Sequence, residues 1–187
     1  MFLVPAVILG VVLGLLLGGR LGRLADLELR AWWLFFAAIG LQLIAFPSPI
    51  FPVDLPQGLS TALSIASYVC LVAVTALNLR LPGMAIAGLG MLANLAAILA
   101  NGGHMPALPG AIREAGLTHH GVYNNSVAEA SPRLPWLVDR WAAPDWVLFG
   151  NVFSVGDVML AIGVAVLVCA AMGAGLRGRS PATEPAA

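Results

Sequence analysis

Five apolar runs limit what this chain can fold into more than any other feature. They fall at about residues 2–19, 31–47, 59–79, 82–100 and 156–174, and Asp157 is the only charged residue inside them. A bilayer offers nothing to satisfy a backbone N–H or C=O, so a crossing segment must be a helix of about 20 mostly apolar residues. With 60% hydrophobic and 10% charged residues and a mean hydropathy of +0.93, the chain lies well outside the range of soluble domains. The expectation is an all-α integral membrane bundle of five transmembrane helices, a single domain over residues 1–175. Residues 176–187, polar and proline-containing, are expected to be a disordered cytoplasmic tail. The first run has no basic residue before it and no small-residue cleavage pattern after it, so it reads as a retained helix.

The arginines orient the bundle. Arg20, Arg23 and Arg30 follow the first run, Arg80 sits between the third and fourth, and Arg177 and Arg179 follow the fifth. Basic residues in short loops favour the cytoplasmic side. That places the N-terminus outside and the C-terminus inside. Arg113, Arg133 and Arg140 fall in the long segment 101–155, where loop length overrides the charge rule. A formal net charge of zero gives no field for nucleic acid. Cys70 and Cys169 lie inside apolar runs and read as small buried residues.

Gly10, Gly14 and Gly18 repeat at the small-xxx-small spacing that lets a second helix approach closely. The row implies either a neighbour in the same chain or a membrane partner, including a second copy. Gln42, Asn78 and Asn94 are amides within apolar runs and read as hydrogen-bond groups between helices. Trp32 and Trp33 mark an interface.

Segment 101–155 should form a partly helical extracytoplasmic cap, with a short helix near Ala111–Leu117 and Trp136, Trp141 and Trp146 at the headgroup layer. It begins with Asn101-Gly-Gly-His-Met-Pro106, a helix exit in which glycine supplies the left-handed turn and proline blocks continuation. His104, His119 and His120 lack the i, i+4 spacing that zinc sites favour, so no metal and no cofactor is expected. Asn101, His104, Asn124, Asn125 and Ser154 are the candidate ligand-binding residues around one polar mouth.

Ser154-x-x-Asp157 fits a capping box at the head of the last helix. The alternative reading pairs Asp157 with Asp139, because two carboxylates sharing a site can split their pKa values and activate a water. The run from Asp139 through Asn151 to Ser154-Val-Gly-Asp157 resembles the end of lipoprotein signal peptidases, where an outer aspartate precedes Asn-x-x-Asp. Here Asn151 stands six residues before Asp157 rather than three, and the chain has five apolar runs where that family has four helices. That likeness implies an intramembrane aspartyl hydrolase with Asp139 and Asp157 as catalytic residues.

A broader set of landmarks runs from Gly-Gly-Arg-Leu after the first helix through Gln42, Asn78, Leu81-Pro-Gly-Met84, Asn94 and Asn101–Pro106. It ends with Trp136-Leu-Val-Asp139 and Phe153-Ser-Val-Gly-Asp157. Over about residues 1–175 these resemble the domain of unknown function 5317 family, small bacterial membrane proteins. His104 stands where that family commonly has a basic residue and Val138 where glycine is usual. The resemblance implies a five-helix membrane fold and no particular activity. The leading expectation is a multi-pass inner-membrane protein that binds a ligand, lipid or partner subunit at its outer mouth, more plausibly not an enzyme. The membrane-embedded hydrolase is the alternative.

Overall fold

A computed structural model describes residues 3–46, 55–117, 122–123, 126–144 and 152–174 of the chain. Asn124, Asn125, His119, His120, Trp146, Asn151, Arg177, Arg179 and the tail lie outside the described residues.

The fold is mostly helical. Five apolar helices occupy the five runs: α1 (Leu3–Leu16), α2 (Trp33–Ala45), α3 (Gln57–Leu77), α4 (Met84–Ala100) and, after a short α5 (Pro109–Glu114), α6 (Val155–Ala171). They are shorter than the expected spans. Among the described residues only α3, with 21 residues, is long and apolar enough to cross a membrane, whereas α1, α2, α4 and α6 have 14, 13, 17 and 17 residues. Backbone turns take residues from the ends. Gly18 (φ 83°) follows α1, Ala31 (φ 54°) stands before α2, and Gly83 (φ 84°) caps α4, each in the left-handed region. At 1.5 Å per residue, a 17-residue helix covers about 26 Å against a hydrocarbon core of about 30 Å.

The helices pack as a row in the order α2, α3, α4, α6, α1. Glycine makes the central seam. A Cβ on Gly90 would overlap the carbonyl oxygen of Gly156, one on Gly83 that of Gly163, and one on Gly163 the backbone nitrogen of Ala87. Gly83 and Gly90 on the α4 side thus meet Gly163 and Gly156 on α6 in antiparallel order. Each pair is seven residues apart, the spacing that keeps one seam in contact over successive turns. Backbones this close gain dispersion contacts that larger side chains would prevent. Gly10 lies against α6 of the same chain, at Ala165 and Val168, and Gly14 against Met172 just beyond it, whereas Gly18 turns the backbone. Farther along the row Gln42 Nε2 donates to Ser67 Oγ (2.6 Å), tying α2 to α3 as expected of an amide among apolar neighbours.

Residues 17–32 form a strap across the end that carries the α1 C-terminus and the α2 N-terminus. It contains a 3-10 turn over Leu21–Asp26 and is anchored twice. Arg20 N donates to Met172 O (2.9 Å) beyond α6, and Arg30 is held by Asn78 at the end of α3.

At the opposite end, segment 101–155 corrects the all-α expectation. Besides α5 its described residues form five short strands: β1 (Met105–Ala107), β2 (Val122–Tyr123), β3 (Ser126–Ala128), β4 (Trp141–Ala142) and β5 (Val152–Phe153). β1 pairs parallel with β3, which pairs antiparallel with β2; β4 pairs antiparallel with β5. Strands of two or three residues are too short to show a period-two pattern, which is why composition did not announce them. The cap is not a loose loop. Met105 and Val138 join Tyr68, Met91, Ala97 and Ile98 in one buried cluster that fuses it to α3 and α4. Trp136 is 67% exposed. Trp141 packs on Phe153, with the Arg140 guanidinium 5.2 Å above its ring.

Candidate functional site

The polar groups of the cap end assemble around the head of α6. Ser154 caps that helix with an extended backbone, and its hydroxyl accepts from Asp157 N (3.1 Å). Asp157 Oδ2 accepts from Ser154 N (2.9 Å), completing the capping box expected from the spacing. The carboxylate also faces the positive end of the helix dipole.

Asn94 turns this local motif into a joint between helices. From the middle of α4 its Nδ2 donates to Asp157 Oδ1 (2.9 Å), and its Oδ1 accepts from Ser154 Oγ (2.8 Å). A hydroxyl has one proton, and Asp157 Oδ2 at 3.0 Å is the competing acceptor. Gly156 makes room for this, since a Cβ there would strike Asn94 Oδ1. Asn94, Ser154 and Asp157 therefore satisfy one another in a closed ring at the top of the glycine seam.

Asn101 is similarly occupied. Both of its Nδ2 protons are used, toward Ala97 O (2.8 Å) and Arg133 O (2.9 Å), and its Oδ1 accepts from Arg133 N (2.7 Å). The side chain pairs with both the N–H and the C=O of Arg133, as a neighbouring strand would, and pins the cap to the end of α4. Asn78 does the same at the other end, donating to Val74 O and Arg30 O while accepting from Arg30 N. Asn78 thus holds a loop backbone rather than another helix. His104 Nε2 lies 3.5 Å from Glu129 Oε2, both partly exposed.

Asp139 is 4% exposed. Its backbone runs beside β1, with Asp139 N donating to Pro106 O (3.0 Å) and Leu108 N to Asp139 O (2.9 Å). Ser126 Oγ, from β3, donates to Asp139 Oδ2 (2.5 Å). Burial lifts the Asp139 carboxyl from 3.8 to about 7; the Ser126 hydrogen bond opposes the rise and the charge of Asp157 adds to it. Asp139 thus feels the charge of Asp157, while the two carboxyls keep separate hydrogen-bond sets: Ser126 for the first, Asn94 and Ser154 for the second. Of the sequence candidates, the structure brings Ser154 and Asp157 into one ring, puts Asp139 within their electrostatic reach, and leaves Asn101 and His104 with their own partners. Ser126 had no distinguishing signal in the sequence, and nothing local tied Asn94 to a residue 60 positions away.

Asn78, Leu81–Met84, Asn94, Asn101 and the Ser154–Asp157 ending, now seen as clamps, seam and ring, all lie in a segment that matches one known family. The profile of a family of unknown function (DUF5317) covers residues 26–169. The chain belongs to that family. The matched segment holds every member of the α6 ring, both asparagine clamps and the α4–α6 seam, while α1 lies outside it. The family carries no assigned activity. No curated protein and no solved structure matches the chain.

Proposed function

We propose that this DUF5317 chain is a non-enzymatic multi-pass protein of a cytoplasmic membrane, a lipid-binding or accessory subunit, with its cap on the outer face. The supporting observation is the direction of its side chains. Val4, Ile8, Phe36, Val69, Leu99 and Ile162, drawn from all five apolar helices, are exposed, while the amides and hydroxyls between those helices pair with each other. Such a row is solvated well by acyl chains and poorly by water. Helices of 13 to 17 residues suit a locally thinned bilayer. The closed ring favours a scaffold over an open reaction centre, because each of its polar atoms already has a partner.

Alkaline carbonate extraction tests this reading. The protein should stay with the membrane pellet and leave it only in detergent, and a reporter fused after Arg80 should sit in the cytoplasm. Release into the carbonate supernatant would overturn the membrane placement, and an external Arg80 the orientation.

One observation favours a second reading, the aspartyl hydrolase: a buried carboxyl near neutrality within the field of Asp157. Membrane proteins from cells carrying wild type or Asp139→Asn would be compared for processed N-termini. A set lost in the variant supports peptidase action, and an unchanged set removes it.

A further inference from the structure

At the strap end, opposite the cap, a cleft of about 440 Å³ opens between three elements. Arg23, Asp26, Leu27 and Glu28 line it from the strap, Arg80 and Leu81 from the α3–α4 turn, and Ala171 from the end of α6. Its charge is balanced: two guanidinium groups and two carboxylates. Among the described residues none of the four makes an ion pair or a side-chain hydrogen bond, although opposite charges line the same space. The Arg23 guanidinium lies against Gly173, where a Cβ would overlap it, and faces the negative end of the α6 dipole. The strap is fixed at both ends, by Met172 O and Asn78, so the cleft wall is held in place. Exposed Leu17, Leu21 and Leu79 lie on the segments that bound this end, and Trp32 and Trp33 are also exposed there. The surroundings are thus apolar, as suits a site where headgroups meet acyl chains.

We propose that this cleft binds the headgroup of a zwitterionic aminophospholipid, a phosphodiester joined to a primary ammonium. Arg23 and Arg80 take the phosphate, a group guanidinium matches geometrically, and Asp26 and Glu28 take the ammonium. Charge balance separates this ligand from an anionic lipid, whose headgroup meets the two carboxylates unfavourably. A quaternary amine carries no N–H to donate to them. A water-soluble phosphoethanolamine ester has the same polar chemistry, and the apolar surroundings favour the lipid. The proposal rests on the membrane reading above.

The test uses the full-length protein in detergent micelles with equal amounts of phosphatidylethanolamine, phosphatidylglycerol and phosphatidylcholine, and native mass spectrometry of retained lipid. Phosphatidylethanolamine should exceed each of the others by about threefold or more, the scale of one or two exposed charge pairs. The double variant Asp26→Asn/Glu28→Gln should lose the preference while keeping phospholipid, and Arg23→Gln/Arg80→Gln should lose retention of all three. Equal retention of the three lipids by the wild type overturns the proposal, as does a preference unchanged in both variants. Glycerophosphoethanolamine at millimolar concentration should leave the lipid adduct in place; its displacement would assign the cleft to the soluble ester. A protein that leaves membranes in carbonate defeats the membrane reading, whereas a membrane-retained protein without lipid preference defeats this proposal alone.

Discussion

Replacing Asp139 with asparagine should make the protein less sensitive to pH and more stable in mild alkali. The Asp139 carboxyl titrates near 7 in the folded chain against 3.8 when free, so the folded state holds a proton that the unfolded state releases earlier. Stability contributed by this group is therefore greatest below pH 3.8, falls as pH rises, and is fully lost above about pH 7. At about 1.4 kcal/mol per pH unit over roughly three units, the fall comes to about 4 kcal/mol. Asparagine carries no charge to bury, and its carbonyl oxygen can accept from Ser126 as Oδ2 does. Tryptophan-fluorescence melts in detergent at pH 5 and pH 8 would read the difference. Between pH 5 and pH 8 roughly two of those units are crossed, about 3 kcal/mol, so wild type should melt lower at pH 8 by about 5 °C or more if each kcal/mol is worth roughly 2–4 °C at this size. Asp139→Asn should lose most of that gap and melt above wild type at pH 8. An equal gap in the two proteins, or a lower melting point for the variant at pH 8, would refute the account of Asp139 as a carboxyl strained by burial.

Asp157→Asn should behave in the opposite way and lose about 1–3 kcal/mol, because both carboxylate oxygens accept and the new NH₂ must face Asn94 Nδ2 or Ser154 N; a melting point equal to wild type would count against the ring. Asn101→Ala removes three hydrogen bonds and leaves Arg133 N without its acceptor, so about 2–4 kcal/mol and faster proteolysis of the cap are expected, with limited digestion as the readout. Gly163→Ala forces apart the α4–α6 backbones and should cost about 1–3 kcal/mol or more, whereas Gly110→Ala, helical in α5 with open space around its Cβ position, should be neutral or stabilising by up to about 1 kcal/mol; melts of the pair check the seam directly.

What the sequence disclosed and what it hid divide along the range of the interaction. The five apolar runs are legible because each is a continuous property of its own residues, and α1, α2, α3, α4 and α6 lie within a few residues of the positions expected. Ser154-x-x-Asp157 is legible because a capping box closes within four residues. Helix lengths were overestimated because left-handed turns at Gly18, Ala31 and Gly83 end a helix without making its flanks less apolar. The strands escaped notice because β1 includes Pro106 and is defined by its partners, Ser126 to Ala128 on one side and Asp139 on the other. Asn94 could be read as an amide needing a partner, but its partners lie 60 and 63 residues away.

The two asparagine clamps explain how helices with little polar contact can present ordered ends. A helix leaves its last four carbonyls without intrahelical donors, and these need partners from outside the helix. Asn78 and Asn101 are the C-caps of α3 and α4, and each spends one Nδ2 proton on a carbonyl four residues back. The remaining proton and Oδ1 fit the C=O and N–H of one residue of an incoming loop, Arg30 or Arg133. Because the clamp reads backbone alone, it leaves both arginine side chains exposed. The strap and the cap are thereby fastened to opposite ends of the helix row by the same chemistry. Satisfying the helix ends and positioning the flanking segments are accomplished by the same side chain, so replacing either asparagine should loosen its attached segment before it disturbs the glycine seam.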